Sequence, residues 1–216
     1  MLVRDYMVKH PLLAEPEMSV VAARQYMAEN NLRYLPVVGY GKRLLGLLTP
    51  QVMLIDPRRL ASLDIWEVTR LLSDLKVKDV MVKARDVISI DPDTPIEQAA
   101  SVMATNRIGC LPVVSEGIVV GLITESDLLT ILAEIMAGRV SGVRVTIRMP
   151  MIKGELARLV TAIAQQGWGI ETMGGIICQK DPNKWDAVVK IRASRDEVVA
   201  ALSAVEGQEI LDVREV

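Results

Sequence analysis

Apolar and polar positions alternate in blocks along the chain, and the clearest block is Gly109 to Leu129. Leu111 to Val114 and Ile118 to Ile123 are short apolar runs of strand length, joined by the turn-forming Ser115-Glu116-Gly117. Thr124, Glu125, Ser126 and Asp127 follow at once and open an apolar-periodic segment, Leu128 to Met136. A strand that delivers a hydroxyl and a carboxylate to a helix N-terminus can hold a ribose and a phosphate. The helix end offers N–H groups and a positive dipole end, and Asp127 can accept from two vicinal hydroxyls. The same four residues can equally do no more than cap a helix.

The stretch occurs twice. Val3-Arg4-Asp5-Tyr6-Met7 returns as Val77-Lys78-Asp79-Val80-Met81, Leu35-Pro36-Val37-Val38 as Leu111-Pro112-Val113-Val114, and Gly46-Leu47-Leu48-Thr49 as Gly121-Leu122-Ile123-Thr124. Each copy predicts a short helical piece ending in Met, a brief strand (Leu12 to Glu15; Val87 to Ile90), an amphipathic helix, two strands and a closing helix. In the second copy Ile96, Ala99, Ala100 and Met103 share one helix face. Thr94 is placed to cap that helix, with Pro95 at its first position and Glu97 completing a capping box. Met18 stands at the Thr94 position in the first copy, which predicts a poorer cap there. Gly39-Tyr40-Gly41-Lys42 reads as a turn between strands, not a phosphate loop. Between the copies, Ile65, Val68, Leu71, Leu72 and Leu75 have helical spacing, with Trp66 among them.

After the linker 137–142 the period changes. Val143, Val145, Ile147 and Met149 alternate with Arg144, Thr146 and Arg148, as in a half-buried strand. A helix with Leu156, Leu159, Val160 and Ile163 on one face ends at Gly167. Ile170 to Gln179 and Ala187 to Ile191 read as strands, Ser194 and Glu197 box the start of another helix, and Glu209 to Val216 closes as a strand. The order is βαββαβ.

Composition narrows the function classes. The 216 residues carry a formal net charge of −2 and only 3% aromatic side chains, which argues against a nucleic-acid surface built on basic patches and stacking. One histidine, His10, and two cysteines, Cys110 and Cys178, offer no metal-ligand set, no catalytic triad and no disulfide framework, and suit a reducing cytosol. Cys110, in an apolar run, reads as a buried inert thiol. The charged N-terminal stretch is not a signal peptide, and no apolar run is long enough to span a membrane. No nucleophile–base pair or Walker-type loop is present, so the expectation is a cytoplasmic protein that is not an enzyme.

The V-x-D-x-M opening, the Pro92-Asp93-Thr94-Pro95 helix start, L-P-V-V and the closing G-h-h-T-x-x-D together resemble a CBS domain, and two in tandem resemble a CBS pair, or Bateman module. The βαββαβ remainder, with Gly154-Glu155-Leu156-Ala157 and Gly167-Trp168-Gly169-Ile170, resembles an ACT domain, and the whole order is similar to AcuB-type accessory proteins. The resemblance implies an α/β (α+β) fold: a CBS pair with pseudo-twofold symmetry followed by a ferredoxin-like ACT domain. The implied domains are residues 1–60, an inter-repeat helical segment 61–76, 77–138 and 142–216. It further implies a non-catalytic regulator whose cleft binds an adenosine-containing ligand (AMP, ADP, ATP or S-adenosylmethionine). A homodimer and an unidentified regulated enzyme would be its partners. The alternative is an interaction scaffold without a nucleotide ligand.

Carried over by position, the ligand cleft comprises Thr124, Asp127, Ser126 and Leu122, completed by Arg33, Leu32, Leu12 and Leu13. The opposite cleft, with Thr49, Val52, Val87, Ile88, Ile108 and Gly109, is expected to be defective, because Val52 stands where Asp127 stands. Amino-acid-binding ACT domains commonly use an acid before the first helix; Met151-Ile152-Lys153-Gly154 keeps the glycine and lacks the acid.

Overall fold

The computed structural model describes residues 1–52, 74–136 and 138–216, and these fall into two compact units, Met1–Leu128 and Leu129–Val216. The inter-repeat helix expected around Ile65, Trp66, Val68, Leu71 and Leu72 lies outside the described residues.

The first unit is two interlocked copies of one α/β motif. The first copy supplies α1 (Val3–Tyr6), β1 (Val8–Lys9), α2 (Val20–Glu29), β2 (Leu35–Val38) and β3 (Leu44–Leu48). The second supplies α3 (Val77–Val80), β4 (Val82–Lys83), α4 (Ile96–Asn106), β5 (Cys110–Ser115), β6 (Ile118–Thr124) and α5 (Glu125–Ile135), the last running on past Leu128. The opening strands are exchanged: β1 pairs antiparallel with β6 (Val8 opposite Leu122), and β4 with β3 (Val82 opposite Leu47). Each three-stranded sheet therefore contains one strand from the other copy.

The exchange repeats in detail. The N–H groups of Val3 and Arg4 donate to the Thr94 and Pro92 carbonyls, both at 2.9 Å. Those of Val77 and Lys78 donate to the Met18 and Pro16 carbonyls at 2.9 and 3.0 Å. Arg4 pairs with Asp93 at 2.6 Å and Lys78 with Glu17 at 2.7 Å. Met7 and Met81 lie where a side chain on Gly121 and on Gly46 would begin, so each crossing requires a residue without Cβ. Apolar runs bury as the pattern demands: Leu35, Val37, Leu48, Leu111, Val113 and Ile123 are fully enclosed.

Two local expectations differ from the structure. The stretches Leu12 to Glu15 and Val87 to Ile90 form only single parallel bridges, Ala14 with Val37 and Ile90 with Val113. Helix α4 starts one residue later than its sequence signals, with Pro95 at the capping position and no side-chain cap. The equivalent residue in the first copy is Ser19, whose hydroxyl accepts from the Ala22 N–H at 3.1 Å. The better cap therefore belongs to the first copy, because proline has no polar side chain to offer and serine does.

In the second unit, β7 (Val143–Pro150), α6 (Glu155–Gln165), β8 (Ile170–Ile177), β9 (Lys184–Ile191), α7 (Arg195–Ser203) and β10 (Glu209–Glu215) make a four-stranded antiparallel sheet in the order β10-β7-β9-β8. This is a ferredoxin-like βαββαβ unit. Val143, Val145, Ile147 and Met149 alternate into a core closed by Leu159 and Ile163 of α6 and Val198 and Leu202 of α7. The Ser194–Glu197 capping box forms as its spacing predicts. Within Leu129–Val216 the Thr172 hydroxyl also donates to the Ile135 carbonyl.

Candidate functional site

A cavity of about 440 Å³, within the usual range for small-molecule sites, opens in the first unit where the strand exchange brings the two copies together. From the second copy it is lined by Leu122 at the end of β6 and by Thr124, Glu125, Ser126 and Asp127 at the start of α5. From the first copy come Val8, His10, Pro11 and Leu12, and then Asn31, Leu32, Arg33 and Tyr34 on the approach to β2. Seven of the eight residues that the sequence assigns to this cleft are together here. Leu13 does not line it, whereas its neighbour Leu12 does.

Thr124 and Asp127 are bound to each other. Asp127 Oδ2 accepts from the Thr124 N–H at 2.8 Å and from its hydroxyl at 2.7 Å, and the Asp127 N–H donates to Thr124 Oγ1 at 3.3 Å. This is a reciprocal helix cap. It orients the carboxylate at the cleft wall through Oδ2. The Glu125 N–H donates to the Gly109 carbonyl at 3.0 Å. The N–H groups of Glu125 and Asp127, two of those a phosphate at this helix end could use, are therefore already engaged.

Arg33 crosses the mouth. Its Nη1 lies 3.4 Å from Glu125 Oε1, and its guanidinium carbon stands 5.7 Å from the centre of the Tyr34 ring. Burial raises the Tyr34 phenol above its ordinary value, with the Arg33 charge opposing and Glu125 adding. The Tyr34 hydroxyl sits where a Cβ on Gly109 would be. Tyr34 thus reaches from one cleft to a residue assigned to the other. Beneath it, Leu47, Cys110 and Leu122 form a small core with Val87. Burial, and then the charge of Asp127, pushes the Cys110 thiol up to about 12.

The pseudo-symmetric positions are built differently. Thr49 keeps its capping role, accepting from the Val52 N–H at 3.5 Å, but Val52 packs against the first copy's core and has no group for a hydroxyl. Ile88 is exposed, the Ile108 N–H donates to Met103, and Gly109 is covered by Tyr34.

Sequence reasoning missed Val8, His10, Pro11, Asn31, Tyr34 and Glu125. The first three arrive through the exchanged β1, whose two residues leave no period to read. Asn31 has a left-handed backbone (φ 52°), a conformation in which asparagine is enriched. Arg107, at the matching place in the second copy, shares it (φ 54°) and would have signalled a common corner.

In the second unit a smaller cavity, about 350 Å³, lies at the β7–α6 loop. The acid missing from Met151–Gly154 follows at once as Glu155, but its carboxylate accepts from Arg158 at 2.8 Å and from Gln208 at 3.3 Å. Among the described residues no group of three or more His, Cys, Asp or Glu side chains could hold a metal ion, and no helix is long and apolar enough to cross a membrane.

A family model described as CBS domain matches residues 3–51 and 77–134, the two copies. Hypoxic response protein 1 of Mycobacterium tuberculosis is 33% identical over 111 residues, 51% of this chain and 70% of that protein. A solved Vibrio cholerae structure described as an acetoin utilization protein (AcuB) is 29% identical, with a TM-score of 0.53 over 64% of this chain and 95% of that one. CBSX2 in complex with AMP aligns with a TM-score of 0.53 over 62% of this chain and 97% of that one; at 22% identity the likeness is one of fold. The chain spans less than half the length of several curated relatives it matches.

Proposed function

Because the chain belongs to the CBS-domain family, whose domain pairs are regulatory modules, we propose that it is a non-catalytic cytoplasmic regulator that binds an adenosine-containing ligand in the cleft between its two copies. One observation carries this reading: Asp127, oriented by Thr124, lines the same 440 Å³ cavity as the apolar Leu12, Leu32 and Leu122. A ribose diol has a carboxylate oxygen to donate to, and a purine has apolar walls to lie against. Ligand binding would then favour one arrangement of the two copies, and a partner enzyme would read the difference.

The ferredoxin-like unit fits an ACT domain by its element order and its Gly154-Glu155-Leu156-Ala157 start. We assign it a pairing role, with edge strands β8 and β10 available to a second chain. A homodimer follows from that reading, and sedimentation equilibrium at micromolar concentration should give twice the chain mass.

A second reading is favoured by the Thr124–Asp127 cap itself, since the carboxylate already serves the helix: the chain is then a scaffold with no nucleotide ligand. Calorimetric titration with AMP, ADP, ATP and S-adenosylmethionine separates the two. One site per chain for at least one of them supports the regulator. No heat with any of the four, or two equal sites, refutes the cleft assignment.

A further inference from the structure

Resting on the adenosine reading of the cleft, we infer that Glu125 and the Arg33 it holds make this site select adenosines with a neutral or cationic 5′ substituent over phosphorylated ones. Three observations lead there. First, three of the groups that could receive a phosphate already have partners. Among the described residues the one lysine or arginine side chain lining the cavity, Arg33, faces Glu125 on one side and the Tyr34 ring on the other. At the helix end, the Glu125 N–H is given to Gly109 and the Asp127 N–H to Thr124.

Second, two carboxylates, Glu125 and Asp127, line the cavity against that one guanidinium. A sphere of 440 Å³ is about 9 Å across, close to one Debye length at physiological ionic strength. A charge anywhere on the ligand is therefore sensed by both acids. A phosphate must take Arg33 from Glu125 and then lie beside the released carboxylate. A sulfonium or ammonium meets Glu125 directly.

Third, Glu125 and Asp127 both line this one cavity from the start of α5, so a ribose held by Asp127 has its 5′ group in the same enclosed space as Glu125. Asp127 then reads the sugar and Glu125 reads the charge of what the sugar carries. Tyr34 keeps the guanidinium on the Glu125 side by offering its ring face.

The test is calorimetry on the full chain at pH 8, with adenosine, AMP and S-adenosylmethionine as probes, for wild type, Glu125→Gln and Arg33→Gln. In wild type, S-adenosylmethionine and adenosine should bind at least as tightly as AMP. Relative to adenosine measured on the same variant, Glu125→Gln should improve AMP by about fivefold, the upper range for one exposed charge pair, and weaken S-adenosylmethionine by a similar factor. Arg33→Gln should widen the preference for S-adenosylmethionine over AMP. Urea midpoints measured alongside identify a variant that fails to fold, and the wild-type ranking then decides. AMP binding tenfold tighter than adenosine in wild type, or an AMP-to-adenosine ratio untouched by Glu125→Gln, overturns the selectivity and leaves the adenosine cleft standing. No binding by any of the three probes overturns both.

Discussion

Thr124 and Asp127 close on each other across one turn, with both donors of Thr124, the N–H and the hydroxyl, on a single Asp127 oxygen. That geometry makes Asp127 a structural residue and a candidate ligand residue at once. The cap uses Oδ2, so a ribose taken by Oδ1 would leave it in place.

Asp127→Ala removes the cap and should lower stability by about 1 kcal/mol, read as a fall in the urea midpoint. It should also weaken adenosine binding at least about tenfold, since a charge-assisted hydrogen bond is worth more than the roughly 1.4 kcal/mol of one decade. The sharper measurement pairs this variant with 2′,3′-dideoxyadenosine. Wild type should discriminate against the dideoxy ligand and Asp127→Ala should not. Equal discrimination in both proteins would take Asp127 off the ribose.

Tyr34 and Gly109 give a second, independent expectation. With the Tyr34 hydroxyl occupying the place of a Cβ, Gly109→Ala should destabilise the chain by about 1–3 kcal/mol, the usual cost of overpacking. Tyr34→Phe removes the obstructing oxygen, so the double variant should recover most of the lost urea midpoint. A Gly109→Ala protein as stable as wild type would show that Tyr34 moves aside freely.

These positions also mark how far the sequence could be read. The repeats, the burial of Leu35 and Leu111, and the alternation of Val143 to Met149 were all legible, because a period of two or a run of β-branched residues has one stable solution against a core. Seven cleft residues were reachable only through the resemblance to a CBS pair, carried over position by position. What the pattern hid was the strand exchange: β1 and β4 are two residues each, too short to carry a period, yet they bring Val8, His10 and Pro11 to the cleft. Tyr34 was invisible for a related reason, since its contact with Gly109 joins the two copies across 75 residues. The Thr94 cap failed because capping depends on where the helix begins, and a shift of one residue put Pro95 in the role.

Cys110 should be inert. It is enclosed, and a thiol pushed up to about 12 is ionised to only about one part in ten thousand at pH 8. With Cys178→Ser removing the other buried thiol, Ellman's reagent should give no fast colour from the folded chain and one thiol per chain in urea. A rapid reaction in buffer would mean that the core under the cleft opens readily.

The second unit should lose stability in acid through Asp186. Arg148 holds this carboxylate with two hydrogen bonds, Nε to Oδ1 at 2.7 Å and Nη2 to Oδ2 at 2.8 Å, on a half-buried face of the sheet. Those bonds favour the ionised form and hold the Asp186 carboxyl below its ordinary value, against the opposing effect of burial. A depressed folded pKa means that the unfolded chain takes up the proton first. The contribution is therefore complete above the unfolded value of about 3.9 and is lost as pH falls through the lower folded value. In Asp186→Asn one of the two bonds is lost, because the amide nitrogen donates and cannot accept from the guanidinium, the other loses its charge, and that part of the acid sensitivity should disappear. The variant should unfold at lower urea than wild type at pH 7, and the gap should narrow as the pH is lowered towards 3. A gap that stays constant from pH 7 to pH 3 would show that Asp186 contributes by packing and not by its charge.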